Sequence, residues 1–124
     1  MTQVSKVKST VKLSHNVYVV ELSKGVWTKS KKFRDANAHY KGIMGCLYVG
    51  MTSHSPLERF EKHKSGYRTK KGIKISSYFV EKYGLYLRPS LYKNLNPLTK
   101  DKATYIEGAL AKRLRRQGFA VWWN

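Results

Sequence analysis

The stretch CLYVGMTSHSPLE at positions 46–58 contains both kinds of secondary structure on which the fold of this chain depends. Its first half is rich in β-prone residues and alternates in character, which predicts a strand. Alternation places Cys46, Tyr48 and Gly50 on one face of that strand. A second β-rich run at 17–22 places Tyr18 on one face in the same way, so we expect the two strands to pair as a hairpin.

The second half of the stretch predicts the start of a helix. Ser55 suits the N-cap, Pro56 suits the first helical position, and Glu58 completes a capping box with the serine. The helix should continue to Ser65 and end at Gly66. The remaining elements are a short helix from Ser76 or Ser77 to Tyr83, an edge strand at 85–88, a helix from Lys100 to Gln117 and a short strand at 119–123.

Length and cysteine content limit the class of protein. A chain of 124 residues is the size of one domain with a single core. Cys46 has no partner for an internal disulfide, and no Cys/His cluster suggests structural zinc. No segment has the length of a transmembrane helix or the apolar stretch of a secretory signal, so we expect an intracellular protein with no membrane association.

Charge gives the strongest indication of function. The chain holds 25 Lys and Arg against 7 Asp and Glu, a net charge of +18. This exceeds what solubility requires and is typical of proteins that bind nucleic acid. The basic segment at 23–45 is predicted to be a long loop or extended ribbon that either clamps a nucleic-acid backbone or is a floppy insertion. The candidate nucleic-acid contacts are Lys29, Lys31, Lys32, Arg34, Arg68, Lys70 and Lys71.

Glu107 is the acid that its surroundings explain least. Helical spacing places it beside Ala103, Leu110 and Leu114 in the buried stripe of the last helix, where an unpaired carboxylate is costly. It either forms a salt bridge with a basic residue or serves a chemical purpose. Phosphodiester cleavage needs an oxygen-held hard cation, a positive side chain on the phosphate and a group that positions or deprotonates water.

Four other side chains could complete such a site. Arg59 and His63 lie four residues apart and share one face of the capped helix. The plainer interpretation is that Tyr18 and Tyr48 are half-buried strand aromatics and that the two helix residues are solvated charges. Spacing alone does not show that these side chains converge with Glu107.

The order of these motifs resembles the GIY-YIG nuclease superfamily. The matching features are Tyr18, then Tyr48-Val49-Gly50, then Arg59 and His63 as Arg-x-x-x-His, then Glu107 and finally Asn124. The resemblance runs from Asn16 to Asn124, which leaves residues 1–15 as an N-terminal arm. The chain departs from the family pattern in having Asn16 for the first glycine, Met51 where many relatives carry lysine, and a longer separation between the two tyrosines.

The resemblance implies an α+β fold, with a three-stranded antiparallel sheet flanked by helices, and hydrolysis of DNA phosphodiester bonds. Glu107 would hold one divalent cation, Mg²⁺ with Mn²⁺ as a substitute, and Arg59 would stabilise the scissile phosphate. Tyr18 would be the base, directly or through water, and Tyr48 and His63 would orient phosphate and nucleophile. Gly50 and Asn124 would support the site.

Two further expectations accompany that interpretation. The surrounding positive charge should favour the phenolate of Tyr18, and the substrate should be double-stranded DNA. The alternative function is a non-catalytic basic module that grips DNA or RNA and stacks bases on exposed aromatics.

Overall fold

The computed structural model describes residues 12–66 and 77–123, which form an α+β fold around a four-stranded mixed sheet. The strands are β1 (Asn16–Leu22), β2 (Cys46–Thr52), β3 (Gly84–Leu87) and β4 (Ala120–Trp123). The helices are α1 (Gly25–Lys29), α2 (Lys31–Ala36), α3 (Pro56–Ser65), α4 (Tyr78–Tyr83) and α5 (Lys100–Arg116). Two 3₁₀ turns, Pro89–Leu91 and Lys93–Leu95, connect β3 to the segment before α5.

The predicted pairing of the first two strands is confirmed. β1 and β2 run antiparallel, with Tyr18 opposite Gly50 and Val20 opposite Tyr48. Since cross-strand partners share a face of the sheet, both tyrosines lie on the same face. β3 pairs with the outer side of β1 as an edge strand, as predicted.

The expected three-stranded antiparallel sheet is wrong in one respect, because β4 adds a fourth strand parallel to β2. Parallel neighbours need a crossover connection, which is usually helical, and α5 packs against the sheet just before β4 begins. The pairing runs from Cys46 opposite Ala120 to Val49 opposite Trp123. Among the described residues, β4 therefore leaves the end of β2, from Gly50 to Thr52, without a partner on that side.

The capped helix α3 forms as predicted. The Ser55 hydroxyl accepts from the Glu58 backbone N–H at 3.1 Å, and the Glu58 carboxylate accepts in return from the Ser55 N–H. The helix ends where Gly66 adopts φ 67, a left-handed conformation that favours glycine. These caps fix the start and end of α3, and so fix the direction in which Arg59 and His63 project.

The basic segment 23–45 is not the long loop or extended ribbon that we predicted, because it contains α1 and α2. Two apolar side chains, Val26 and Phe33, anchor these helices in the core, where both are fully buried. The Ser30 hydroxyl caps α2 by accepting from the Phe33 N–H. Short helices with single anchors lack the long apolar periodicity that sequence patterns detect, which explains the error.

Residues 1–11 of the expected N-terminal arm lie outside the described part of the chain. At the arm's end, His15 exchanges two backbone hydrogen bonds with Leu98, at 2.9 and 2.7 Å. None of the helices in residues 12–66 and 77–123 has the length and apolarity that crossing a bilayer requires.

Candidate active site

Tyr18 and Tyr48 form the floor of the candidate site. Their ring centroids are 6.2 Å apart, and both side chains are almost completely buried. Gly50 makes room for them, because a Cβ there would lie 2.6 Å from the Tyr18 hydroxyl oxygen and 2.9 Å from Cε2 of Tyr48. The glycine is therefore required for close packing beneath the two phenols.

We expect Gly50→Ala to destabilise the protein, because the added methyl group overpacks the two rings. Overpacking of this kind costs about 1–3 kcal/mol. Gly108→Ala is a matched control: it lies inside α5, and its Cβ would meet only Trp123 Nε1, at 3.8 Å. Thermal denaturation should show a lower melting temperature for Gly50→Ala and an unchanged or higher one for Gly108→Ala. Equal melting temperatures would contradict the packing role of Gly50.

His63 joins the tyrosines from α3 and is 2% exposed, so it is not the solvated helix residue of the plainer interpretation. Its Nδ1 accepts a hydrogen bond from the Ser77 backbone N–H at 2.6 Å, and its Nε2 lies 2.9 Å from the Tyr18 hydroxyl oxygen. An accepting Nδ1 carries no proton, so the proton of the neutral ring is on Nε2 and is donated to the tyrosine oxygen. Burial, followed by the nearby Arg59 charge, lowers the pKa of His63 to about 4, which keeps the ring neutral at pH 7.

Ser77 is the site residue that the sequence did not reveal. Its backbone N–H, just before α4, donates to His63 Nδ1, and its side chain hydrogen-bonds Tyr48. Both contacts join residues that are far apart in sequence, so the local sequence pattern does not predict them. The serine was identified only as a helix start, which the structure confirms by placing it at the N-cap position of α4.

Arg59 lies beside the tyrosines and the histidine. Its guanidinium charge lowers the pKa of Tyr18, Tyr48 and His63 alike, which places it within electrostatic range of all three side chains. Burial nevertheless dominates, and the pKa of Tyr18 stands well above its ordinary value. The Arg59 charge thus favours the phenolate of Tyr18, as expected, but desolvation outweighs it in the protein without ligands, so the net shift of the pKa is upward.

Glu107 approaches the site from α5. It is 9% exposed, and burial raises its pKa to about 7. After the larger effect of burial, the Glu107 carboxylate raises the pKa of Tyr48, so the two groups lie within electrostatic range. No ion pair between described residues involves Glu107, so the salt bridge that the sequence analysis gave as one alternative is not found there. Tyr48 thus interacts with the other four predicted catalytic side chains, through ring contacts with Tyr18 and His63 and through the charges of Arg59 and Glu107.

The donor set at Glu107 suits a weakly held hard cation. Among residues 12–66 and 77–123 there is no cluster of three or more His, Cys, Asp or Glu side chains that could enclose a metal. Mg²⁺ commonly keeps several of its waters and binds through one or two carboxylates together with substrate phosphates. A single carboxylate that lacks a described ion-pair partner fits this mode of binding.

The pKa shifts of His63 and Glu107 have opposite directions, and both predict that the free energy of unfolding depends on pH. The lowered pKa of His63 costs stability as pH falls from 6.5 to about 4, because the unfolded chain takes up the proton first. The raised pKa of Glu107 costs stability as pH rises from 4.5 to about 7, because the buried carboxyl loses its proton reluctantly. Each effect is on the order of 2–3 kcal/mol, and the two oppose each other between about pH 4.5 and 6.5.

We therefore expect single variants to change the slope of stability against pH. Relative to wild type, Glu107→Gln should make the free energy of unfolding rise with pH across this window, and His63→Gln should make it fall. Urea denaturation at a series of pH values measures these slopes, which are independent of any constant loss of stability. Parallel curves for all three proteins would contradict the two shifts.

The basic residues predicted to contact nucleic acid behave differently from one another. Lys29 is exposed, Lys31 pairs with Asp35 at 2.7 Å, and Lys32 lies over the Trp122 ring, 5.2 Å from its centroid. Arg34 has a structural role, because its guanidinium donates to the Trp27 and Thr28 carbonyls, both at 2.8 Å, at the end of α1. Arg68, Lys70, Lys71 and Asn124 lie outside the described residues.

Comparisons with protein-family models, with curated proteins and with solved structures gave no match to this chain.

Proposed function

We propose that this protein is a metal-dependent endonuclease that hydrolyses DNA phosphodiester bonds by water attack with a single divalent cation. The observation that carries the proposal is the convergence of Tyr18, Tyr48, Arg59, His63 and Glu107 on one cluster built from β1, β2, α3 and α5. These residues match the ordered motifs that resemble the GIY-YIG superfamily. A buried carboxylate with a pKa raised to about 7 is also what a functional site often contains.

In this proposal the cation is held by Glu107. When bound, Mg²⁺ would polarise the phosphate and offset developing negative charge. Arg59 would bind the scissile phosphate, since a guanidinium presents a planar fork of donors that matches phosphate oxygens. Both groups lie near Tyr48, whose hydroxyl would orient the phosphate between them.

Tyr18 would act as the base, through a water or directly, and His63 would assist it as a donor. Because the His63 Nε2–H points at the Tyr18 oxygen, it stabilises negative charge there and cannot accept the tyrosine proton. The Arg59 charge stabilises the same phenolate. The Ser77 N–H fixes the histidine tautomer, so it positions the donor without contacting the substrate.

The test is cleavage of supercoiled plasmid DNA by the purified chain. We expect conversion to nicked and linear forms with Mg²⁺ or Mn²⁺, and none with a chelator. The alternative, a non-catalytic basic module, predicts salt-sensitive DNA or RNA binding with no cleavage. If neither Mg²⁺ nor Mn²⁺ supports cleavage of duplex, single-stranded or branched DNA, the nuclease proposal is overturned.

A further inference from the structure

A groove of about 790 Å³ lies between the end of the basic segment and the end of α5, away from the cluster described above. Its apolar lining comes from Tyr40, Ile43, Met44 and Phe119. These four residues form the apolar floor of the groove. Ile43 is 80% exposed and Met44 is 38% exposed, so the floor is open to solvent. The volume falls within the range of natural ligand pockets, roughly 300–1,000 Å³.

The wall of the groove is held in place by local contacts. Tyr40 packs edge-on against Trp27, with ring centroids 4.8 Å apart, and its hydroxyl donates to the Met44 carbonyl. The Lys24 ammonium donates to the Gly42 carbonyl at 3.0 Å. These contacts hold the loop at 40–44, which carries the apolar side chains of the groove, in a defined conformation.

Cations surround this apolar floor. Lys41, Lys112 and Arg116 are exposed at the rim, and no ion pair or hydrogen bond between described residues engages their side chains. Asp35 is the only acid among the described residues that line the groove, and it is paired with Lys31. The rim is thus positively charged. A partner that fits both the rim and the floor must carry negative charge next to apolar groups.

We propose that this groove binds an unpaired nucleotide, with the base against the apolar floor and its flanking phosphates on Lys41, Lys112 and Arg116. A single strand alternates phosphates with flat base faces, which matches a rim of cations around an apolar floor. A duplex keeps its bases stacked inside and offers the rim only phosphates, so it leaves the floor unused. Acidic peptides match the charge but carry it on flexible aliphatic stems without a flat apolar face.

The groove and the cluster are neighbours along β2. The groove residue Met44 comes two positions before Cys46, where β2 begins, and Tyr48 of the cluster lies four positions after Met44, which is roughly 13 Å along an extended chain. A few nucleotides span that distance. The inference rests on the proposed nuclease function only in naming the substrate, which becomes DNA with a single-stranded segment beside the duplex that is cut.

The experiment measures binding by fluorescence anisotropy in a buffer containing chelator, where no metal-dependent cleavage takes place. The probes are a labelled oligothymidine of about 12 nucleotides and a blunt duplex of the same length. Changing Ile43 and Met44 together to serine should weaken oligothymidine binding by about tenfold and duplex binding by less than about twofold. Leu85→Ser, at an exposed apolar residue on β3, is the matched control and should change neither affinity.

Equal weakening of both probes, or no change in either, would overturn the groove assignment. So would displacement of the oligothymidine by a polyglutamate peptide at lower concentrations than by unlabelled oligothymidine, since that would favour an acidic protein as the partner. Circular dichroism of the variants checks folding, and the high exposure of Ile43 makes Ile43→Ser alone a second variant with little effect on the core. Plasmid cleavage is not used, so failure here and failure of the nuclease proposal are separate results.

Discussion

Replacing Glu107 by alanine should abolish Mg²⁺-dependent cleavage of plasmid DNA while leaving DNA binding nearly unchanged. The carboxylate is the proposed metal ligand, and a bound cation supplies several kcal/mol of transition-state stabilisation. Loss of that contribution lowers the single-turnover rate by on the order of 10³-fold or more. Binding depends mainly on the many Lys and Arg side chains and should persist in chelator.

The control for this variant is Glu61→Ala, at an exposed carboxylate on α3. It should cleave at the wild-type rate. Glu107→Ala should also be at least as stable as wild type at pH 8, because it removes a buried carboxylate whose ionisation opposes folding. Cleavage by Glu107→Ala at a rate close to that of wild type would remove Glu107 from the proposed mechanism.

Arg59→Ala should lower the cleavage rate by on the order of 10³-fold, with a smaller loss of DNA affinity. Arginines that stabilise charge in phosphoryl transfer contribute effects of this size, roughly 10³–10⁵. Arg59→Lys should recover only part of the rate, since an ammonium lacks the bidentate geometry of the guanidinium. Single-turnover cleavage at saturating protein separates the rate from the affinity.

A second readout distinguishes chemistry from structure. Arg59 lowers the pKa of Tyr18, so its removal should shift the rise of cleavage rate with pH toward higher pH. Arg113→Ala, at an exposed arginine in the last turn of α5, should weaken binding slightly and leave the pH profile in place. A profile that does not move in Arg59→Ala would argue against an electrostatic role at Tyr18.

Local signals in the sequence predicted the elements that build most of the site. The capping box at Ser55 and the glycine at 66 defined α3, and alternation in β1 and β2 placed both tyrosines on one face. Position along the α5 stripe identified Glu107 as the unusual acid. These features depend on short-range geometry, which a single sequence encodes directly.

The remaining features depend on contacts that are distant in sequence. The direction of β4 follows from where α5 returns the chain, and a four-residue strand carries no mark of parallel or antiparallel pairing. The raised pKa of Tyr18 follows from burial beneath α3, whereas total charge alone suggested the opposite direction. Convergence of Arg59 and Glu107 near Tyr48 is likewise a tertiary result.

The amide of Asn37 ties the basic segment to the rest of the protein. Its oxygen accepts from the Val121 N–H at 2.7 Å and from the Arg115 Nε–H at 3.0 Å, and its nitrogen donates to the Phe33 carbonyl. Deleting residues 23–45, or replacing them with a short linker, would therefore remove part of the core and the hydrogen bond between Asn37 and Val121 of β4. Truncation experiments on this segment would report misfolding, so its lysines are better examined by charge reversal one at a time. For folding alone, the exposed side chains of this segment should tolerate substitution better than its buried anchors Val26, Phe33 and Asn37.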